Sequence, residues 1–292
     1  MGCRYYLLER VGTGGMATVY RAYDEVLKRE VAVKLIAERL ASSPEFVERF
    51  RHEARLSASL AHTNIVAVLD AGAQPRDFIV MEFVDGIDAR KLLRRRVRLT
   101  PGETVHVVAQ ICDALTYAHH QGVVHGDVSL SNILVRRSDR VAKLADFGLA
   151  SRAVSVGSTH AAASLGTPGQ VAPEVLWGAE PTPRSDLYCL GVVAYRCLAG
   201  PTGLRAADPG ATAPLPTATP RMPRLGEVRP DLPRGLVAAV QQAVALDPDS
   251  RQASLADFRA QLLGERGRLV PAHRPRATTL AESVRTELPR AA

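Results

Sequence analysis

One stretch decides how this chain is interpreted: His125-Gly126-Asp127-Val128-Ser129-Leu130-Ser131-Asn132, which stands between a helical pattern and the apolar run Ile133-Leu134-Val135. It sets an Asp and an Asn five positions apart, and Asp146-Phe147-Gly148 begins fourteen residues after the Asn. A carboxylate that accepts a proton, beside an Asn and a second Asp able to hold Mg²⁺, is the chemistry of phosphoryl transfer from a nucleotide. The stretch therefore predicts a phosphoryl-transfer site.

A glycine-rich segment upstream fits the same chemistry. In Val11-Gly12-Thr13-Gly14-Gly15-Met16-Ala17-Thr18-Val19 the glycines would let the backbone N–H groups approach a phosphate, although a plain hairpin turn fits equally well. The alternating strand Val31-Ala32-Val33-Lys34-Leu35-Ile36 then places a lysine at its centre. Because the chain has only four lysines, one in mid-strand is conspicuous and needs a partner, and phosphate oxygens would serve.

A helix is predicted after this strand, with Ser43 as N-cap and Pro44 at its first position. It carries Glu53 among the basic residues 51, 52 and 55. Glu53 either forms an exposed ion pair within the helix, which would stabilise little, or is a carboxylate that holds Lys34 in place. The other motifs favour the second interpretation.

The pattern predicts a hinge and then a helical region. Residues 65–69 and 78–81 favour strands, and residues 82–86 break the strand pattern where we expect the hinge. Thr100-Pro101-Gly102-Glu103 is a capping box for a helix that should end near Gly122. The remaining elements predicted around the opening stretch are a strand at Val123-Val124 and a hairpin formed by residues 133–135 and 141–145.

The second half of the chain alternates predicted loops with helices. Residues 149–171 are rich in small residues and predict a mobile loop. Residues 186–199 predict an apolar helix whose buried Asp186 should be tied to backbone N–H groups. Residues 200–235 hold eight of the nineteen prolines and predict a loop without an ordered helix. Two more helices are expected in residues 236–244 and 257–263, before a disordered tail at 265–292.

Composition limits the classes of function. The chain has 292 residues, is 46% hydrophobic and has a net charge of +7, which allows a large core. The basic run 90–98 contains no aromatic residue, so we expect a solvated helix face, or a docking patch for an acidic partner, and no nucleic-acid binding. The four cysteines form no C-x-x-C pair, which favours neither a zinc site nor a disulfide framework. No signal peptide or membrane anchor is recognisable, so a cytoplasmic location is expected.

With these motifs in one order, the chain resembles the eukaryotic-like serine/threonine protein kinases of bacteria, over about residues 4–263. Asp146-Phe147-Gly148 and Ala172-Pro173-Glu174 resemble the ends of the activation segment, and Gly166-Thr167 resembles its substrate-receiving loop. Asp186 resembles the structural Asp of the family, and Arg251 the Arg that pairs with the segment-closing glutamate, here Glu174. The resemblance implies an α+β, bilobal protein-kinase-like fold. A small lobe, residues 1–82, would hold an antiparallel β-sheet and one main helix, and residues 83–264 a larger, mainly helical lobe.

The resemblance also implies ATP and Mg²⁺ as cofactors and Ser/Thr-bearing proteins as substrates. It assigns nucleotide binding to Val11, Gly12, Gly14, Gly15, Val19, Ala32, Lys34, Met81 (the gatekeeper), Glu82, Val84 and Leu134. It assigns metal binding to Asn132 and Asp146, and catalysis to Asp127, Lys34, Glu53 and the position of Ser129.

Two positions depart from the family pattern. Gly126 replaces an Arg that grips a phosphorylated activation segment, so activity should not depend on phosphorylation there, and Thr159→Ala should cost little. Ser129 replaces a Lys that offsets phosphate charge, and the loss of one such stabiliser costs on the order of 10²–10³ in rate. A catalytically weak pseudokinase scaffold therefore stays an alternative. A small-molecule kinase is a third, because His125-Gly126-Asp127 also resembles kinases of the aminoglycoside and choline type. A regulatory protein partner is expected, since no sensor domain is apparent.

Overall fold

The amino-terminal part of the protein is an antiparallel sheet in the computed structural model, which describes residues 4–147, 170–200 and 222–265. Its strands are β1 (Tyr5–Thr13), β2 (Ala17–Asp24), β3 (Arg29–Ile36), β4 (Val68–Gly72) and β5 (Phe78–Glu82). They lie in the order β1-β2-β3-β5-β4, with Lys34 of β3 opposite Val19 and Ile79. The mid-strand lysine is therefore in a central strand of the sheet.

Two helices follow β3: α1 (Glu38–Ala41) and α2 (Pro44–Ala58). Phe50 and Ala54 of α2 pack with Ile36 and Ile79 of the sheet, so one face of the helix is fixed against β3 and β5. Ser43 is the N-cap residue of α2 as predicted, although its side chain makes no capping hydrogen bond. The short helix α1 has no counterpart among the sequence predictions.

The carboxyl-terminal part is mainly helical. Its helices are α3 (Ala89–Arg96), α4 (Pro101–His120), α5 (Pro173–Leu176), α6 (Pro183–Ala199), α7 (Leu225–Val228), α8 (Arg234–Ala243) and α9 (Leu255–Gly264). A three-stranded sheet contains β6 (Gly86–Asp88), β7 (Ile133–Arg136) and β8 (Ala142–Leu144) in that order. The helix α6 is almost wholly buried and contacts both α4 and α8. The predicted α+β class, with a sheet first and helices after it, is confirmed.

Several local predictions are confirmed. The side chains of Thr100 and Glu103 form the predicted capping box of α4, which ends at His120. The hairpin β7–β8 lies where the sequence placed it, and Asp146 follows it with a φ of 64°. The side chains of Arg251 and Glu174 form a bidentate ion pair, with Nη1–Oε1 at 2.7 Å and Nη2–Oε2 at 2.8 Å. This pair ties the segment after α8 to α5.

Three predictions were wrong in part. Val123-Val124 forms no strand, because the Val123 N–H bonds to the Ala118 carbonyl at the end of α4. In the predicted strand 65–69, β4 begins only at Val68, since Ile65 bridges to Leu144 of β8 instead. Residues 225–228, placed in a proline-rich loop, form the helix α7, in which Leu225 is fully buried.

Other predictions fall outside the described residues. Those are the predictions for Gly148, most of the 149–171 loop, Thr159, Gly166-Thr167, residues 201–221 and nearly all of the tail from 265.

Asp186 anchors the stretch that leads to Asp127. Its Oδ2 accepts from the His125 N–H and its Oδ1 from the Gly126 N–H, each at 2.8 Å. The His119 ring also donates from Nε2 to Oδ2, at 2.8 Å. Asp186 is fully buried, so three donors satisfy a charge that would otherwise be costly. The predicted tie between Asp186 and backbone N–H groups is confirmed.

Asp186→Asn tests this anchor. An amide keeps the shape but has one acceptor oxygen, so at least one buried N–H loses its partner. We expect the free energy of unfolding to fall by about 2–3 kcal/mol, measured by urea denaturation. The matched change Asp113→Asn breaks an exposed ion pair to Arg259 and should cost under about 1 kcal/mol. Equal losses in the two variants would contradict the anchoring role.

Candidate active site

Lys34 lies between two carboxylates that come from different elements. Its Nζ is 2.6 Å from Glu53 Oε1, on α2, and 2.7 Å from Asp146 Oδ1, just after β8. Lys34 and Glu53 are both buried, at 5% and 3% exposure. The basic neighbours of Glu53 bond elsewhere, Arg51 to Asp77 and Arg55 to Glu48. The structure therefore forms the ion pair between Lys34 and Glu53 and not one within the helix.

Burial and neighbouring charges compete in setting the pKa values of Lys34, Glu53 and Asp146. Burial lowers the pKa of Lys34, but the charges of Asp146 and Glu53 outweigh it and raise that pKa above its ordinary value. Burial raises the pKa of Asp146, yet the Lys34 charge leaves it below the ordinary value. For Glu53 burial dominates, with the Asp146 charge adding to it, and raises its pKa to about 7. The ammonium is therefore held in its charged form.

Asp127 and Asn132 are joined by hydrogen bonds. The Asn132 amide nitrogen Nδ2 donates to Asp127 Oδ2 at 3.0 Å and to the Asp127 carbonyl at 2.9 Å. Burial raises the pKa of Asp127. The Asp127 N–H in turn donates to Nδ1 of His125, whose Nε2 donates to the Ala145 carbonyl. The stretch 125–132 and the segment before Asp146 are thus locked together, and the centroids of the His125 and Phe147 rings are 4.5 Å apart.

The donor atoms suit a Mg²⁺ ion. Because the Asn132 Nδ2 faces Asp127, its Oδ1 stays an available acceptor. Asp146 uses Oδ1 on Lys34, and no hydrogen bond to its Oδ2 is recorded within the described residues. The Ala145 N–H donates to the Asn132 carbonyl at 2.8 Å, which keeps the two segments adjacent. Magnesium binds through one or two carboxyl or amide oxygens and completes its shell with phosphates and water, so the set fits.

The glycine-rich segment forms the hairpin between β1 and β2. The Gly14 N–H bonds to the Ala17 carbonyl at 2.9 Å, and a Cβ on Gly15 would meet no atom within 4 Å. Arg39 of α1 donates to the Gly15 carbonyl, and the Ala37 N–H to the Met16 carbonyl. The helix α1, which the sequence did not reveal, therefore holds the base of this loop. The space next to the Gly15 Cα is open.

Four of the residues predicted to contact a nucleotide lie on one face of the five-stranded sheet: Val19, Ala32, Lys34 and Met81. Ala32 of β3 pairs in register with Met81 of β5, and Val19 of β2 pairs with Lys34. Leu134 lies in β7 opposite Asp88. The backbone of Val84 makes no hydrogen bond within the described part of the chain, whereas the Glu82 N–H is taken by the Ala67 carbonyl. Gly12 pairs with Val19, and Val11, at 37% exposure, lies beside it in β1.

Sequence reasoning missed a second buried lysine. Lys143 of β8 is 6% exposed, and its Nζ is 2.6 Å from Glu82 Oε1 and 3.2 Å from the Ile65 carbonyl. Glu82 Oε1 also accepts from the Ala67 N–H at 2.8 Å. The signal that identified Lys34, a scarce lysine in mid-strand, applies equally to Lys143. This contact joins the hinge to the hairpin that precedes Asp146.

Comparison with known proteins identifies the family. Residues 5–217 match the family described as "Protein kinase domain", and the chain belongs to that family. It is 37% identical over 274 residues to the serine/threonine-protein kinase PknB of Mycolicibacterium smegmatis, covering 89% of this chain and 42% of the relative. It is 35% identical over 262 residues to the serine/threonine-protein kinase PrkC of Bacillus subtilis, covering 89% of this chain and 40% of that protein. The chain thus spans less than half the length of these relatives.

A solved structure supports the fold. The crystal structure of the Mycobacterium tuberculosis PknI kinase domain is similar with a TM-score of 0.69 at 31% identity, covering 90% of this chain and 96% of that one. The predicted protein-kinase-like fold is confirmed. Among the described residues, no helix is both long and apolar enough to cross a bilayer.

The raised pKa of Glu53 gives a test by pH. Its carboxyl binds a proton more tightly in the folded protein, at a pKa of about 7, than at the ordinary 4.5. Relative to Glu53→Gln, the wild type should therefore lose stability as pH rises from 4.5 to 7, by up to about 3 kcal/mol, and the difference should be constant above that. Urea denaturation of both proteins from pH 5 to pH 8 measures this.

Glu48→Gln is the control on the same helix. Arg55 lowers the pKa of Glu48 below its ordinary 4.5, so this carboxyl titrates below the measured range and the stability difference between wild type and Glu48→Gln should stay flat from pH 5 to pH 8. A stability difference between wild type and Glu53→Gln that stays flat over the whole pH range would refute the perturbed carboxyl.

Proposed function

We propose that the protein transfers the γ-phosphate of Mg-ATP to serine or threonine hydroxyls of proteins. The observation that carries this proposal is the buried contact of Lys34 with both Glu53 and Asp146, beside the hydrogen-bonded pair of Asp127 and Asn132. Five functional side chains from four separate segments meet there, as phosphoryl transfer requires. The serine/threonine kinase relatives support the choice of acceptor.

In this proposal Lys34 contacts the α- and β-phosphates, and Glu53 fixes its position. The hairpin around Gly14 and Gly15 covers the phosphates with its backbone N–H groups. The adenine lies between Val11, Val19, Ala32, Leu134 and Met81, and hydrogen-bonds to the backbone of Glu82 and Val84. Since the Glu82 N–H is bonded to the Ala67 carbonyl, the groups left for the adenine are the Glu82 carbonyl and the Val84 backbone, which makes no hydrogen bond to any described residue.

Asn132 and Asp146 hold Mg²⁺, and Asp127 orients the substrate hydroxyl. Bound Mg²⁺ neutralises charge on the phosphates during transfer. The Asn132 amide keeps Asp127 Oδ2 in a fixed position, which leaves Oδ1 to accept from the hydroxyl. Burial raises the pKa of Asp127, so its carboxylate is a better proton acceptor than an exposed Asp.

Gly126 supports independence from activation-segment phosphorylation. It has a φ of 75°, a conformation that suits glycine, and no side chain that would bind a phosphate. Among the residues that the structure describes, its one hydrogen bond runs from its N–H to Asp186 Oδ1. A regulatory protein partner and a cytoplasmic location stay predictions.

Turnover is tested with purified protein, labelled ATP and Mg²⁺. We expect label on the protein itself or on a generic protein substrate, and at least about a 10²-fold loss in Lys34→Met and in Asp127→Asn. Lys28→Met, which removes an exposed lysine, should keep the wild-type rate. Treatment of the enzyme with a phosphatase before the assay should also leave the rate unchanged. Label that persists in both active-site variants would refute the proposed function.

Ser129 favours a second candidate, a nucleotide-binding scaffold with little turnover. This residue is 5% exposed and lies two positions after Asp127, where a hydroxyl supplies no positive charge. A scaffold would show a rise in Tm with Mg-nucleotide but no transfer of label. Robust turnover would remove this candidate.

Ser129→Lys separates a slow enzyme from a scaffold. If the missing charge limits transfer, the variant should gain at least about tenfold in kcat, because a cation near the transferred phosphate stabilises its transition state. Ser131→Lys adds the same charge two positions further on and should give no such gain. A Ser129→Lys rate equal to that of wild type would show that this charge is not limiting.

A further inference from the structure

The helix α1 is too short and too exposed to be stable by itself. It has four residues, none of which is buried, and no side chain caps its first turn. A single helical turn is unstable in isolation, because fixing its backbone costs more conformational entropy than one hydrogen bond offsets. Contacts with the rest of the protein therefore hold α1 in place, and they lie on two sides of it.

One side of α1 is bonded to the glycine-rich hairpin. The Ala37 N–H donates to the Met16 carbonyl at 2.9 Å, and the Arg39 guanidinium donates from Nη2 to the Gly15 carbonyl. Arg39 forms no ion pair with any residue that the structure describes, so this carbonyl is its partner there. A hydrogen bond from a cation is stronger than one between neutral groups, although exposure to solvent weakens it. Arg39 thus ties α1 to the hairpin through its side chain.

The other side of α1 packs against α2. Leu40 contacts the apolar cluster that contains Phe50 of α2. A cavity with room for about one water molecule is lined by both of these side chains, by Met16 of the glycine-rich hairpin, and by Lys34 and Glu53. Because protein interiors are closely packed, a displacement of the hairpin is transmitted through α1 to the helix that carries Glu53.

The Glu53 carboxylate is bonded through one oxygen only. Its Oε1 accepts from Lys34, whereas its Oε2 is buried and has no hydrogen-bond partner within the described ranges. The position of this carboxylate therefore depends on Lys34 and on the packing of α2, to which α1 is attached. An element that fixes both the glycine-rich hairpin and α2 also fixes the hairpin backbone relative to the Lys34 ammonium, and both of these are proposed to bind phosphate.

We propose that Arg39 is a positioning residue for the nucleotide. Its bond to the Gly15 carbonyl holds the glycine-rich hairpin in position to cover the phosphates, and couples the hairpin to the ion pair of Lys34 and Glu53. This rests on the proposed function and adds a residue outside the phosphate site that sets the affinity of that site. A hairpin already held in position loses less conformational freedom when phosphate binds, so the contact strengthens binding without touching the nucleotide.

Nucleotide binding tests the role of Arg39. Isothermal titration calorimetry with Mg-ATP and with adenosine needs no turnover, and it compares a ligand that reaches the hairpin with one that has no phosphate. We expect Arg39→Gln to weaken Mg-ATP binding about five- to tenfold, the order of one partly exposed, charge-assisted hydrogen bond, and to leave adenosine binding within about twofold. Arg39→Lys keeps a charged donor and should recover most of the affinity for Mg-ATP.

Arg76→Gln is the matched control. The Arg76 Nη1 is 3.8 Å from Glu38 Oε2 of α1, so this change removes an arginine next to the same helix and leaves the hairpin contact in place. It should bind both ligands as the wild type does. Equal loss of Mg-ATP affinity in Arg39→Gln and Arg76→Gln, or equal loss for Mg-ATP and adenosine in Arg39→Gln, would indicate a general weakening of the fold and overturn the proposal.

A double-mutant cycle tests the coupling to Glu53. If the glycine-rich hairpin and the ion pair form one unit, the effect of Arg39→Gln on Mg-ATP affinity should fall to less than about twofold in a Glu53→Gln background. The same loss of affinity in both backgrounds would contradict the coupling.

These binding measurements also separate the proposal from the proposed function. Selective loss of Mg-ATP affinity in Arg39→Gln, in a protein that transfers no label, would contradict the kinase and still support the role of Arg39. Wild-type affinity for Mg-ATP in Arg39→Gln would overturn that role whether or not the protein is active.

Discussion

The buried ammonium of Lys34 is the interaction on which the arrangement of the site depends. A lysine in a central strand is costly without partners, and two carboxylates supply them, one from α2 and one from the segment after β8. Removing either carboxylate would leave a cation with half its compensation. The sheet, the helix and the hairpin are therefore held together by one charge, at the site where we propose that phosphate is bound.

A second anchor holds the other half of the site. Asp186, inside the nearly wholly buried helix α6, fixes the backbone at His125 and Gly126, and the His125 ring ties that backbone to Ala145. Asp127 and Asn132 thus rest on a rigid core helix and not on a free loop. These polar groups have fixed positions because they are buried in the core, where a donor without an acceptor would lower the stability of the folded protein.

Most of this arrangement could be predicted from the sequence because each motif is explained by the physical chemistry of its own few residues. A scarce lysine in mid-strand, a capping box and an Asp in an apolar helix each demand a partner that can be named. The errors arose where contacts with residues distant in the sequence decide the secondary structure. Val123 is β-branched and buried, yet its N–H bonds back to α4, and Ile65 pairs with β8 although its neighbours continue into β4. Leu225 makes a helix in a proline-rich region because α8 offers it a buried contact.

The ion pair of Lys143 with Glu82 also limits how the two parts of the protein can move. Glu82 ends β5 in the sheet, while Lys143 belongs to the hairpin of the helical part, and both also bond to the segment 65–67. Any motion that separates the sheet from the helical part while keeping this contact must turn about residue 82. The backbone would then bend at residues 83–85. In the proposed function, a nucleotide would then enter as the sheet rotates about residue 82, with the backbone proposed to bind adenine next to the rotation axis and the glycine-rich hairpin moving furthest.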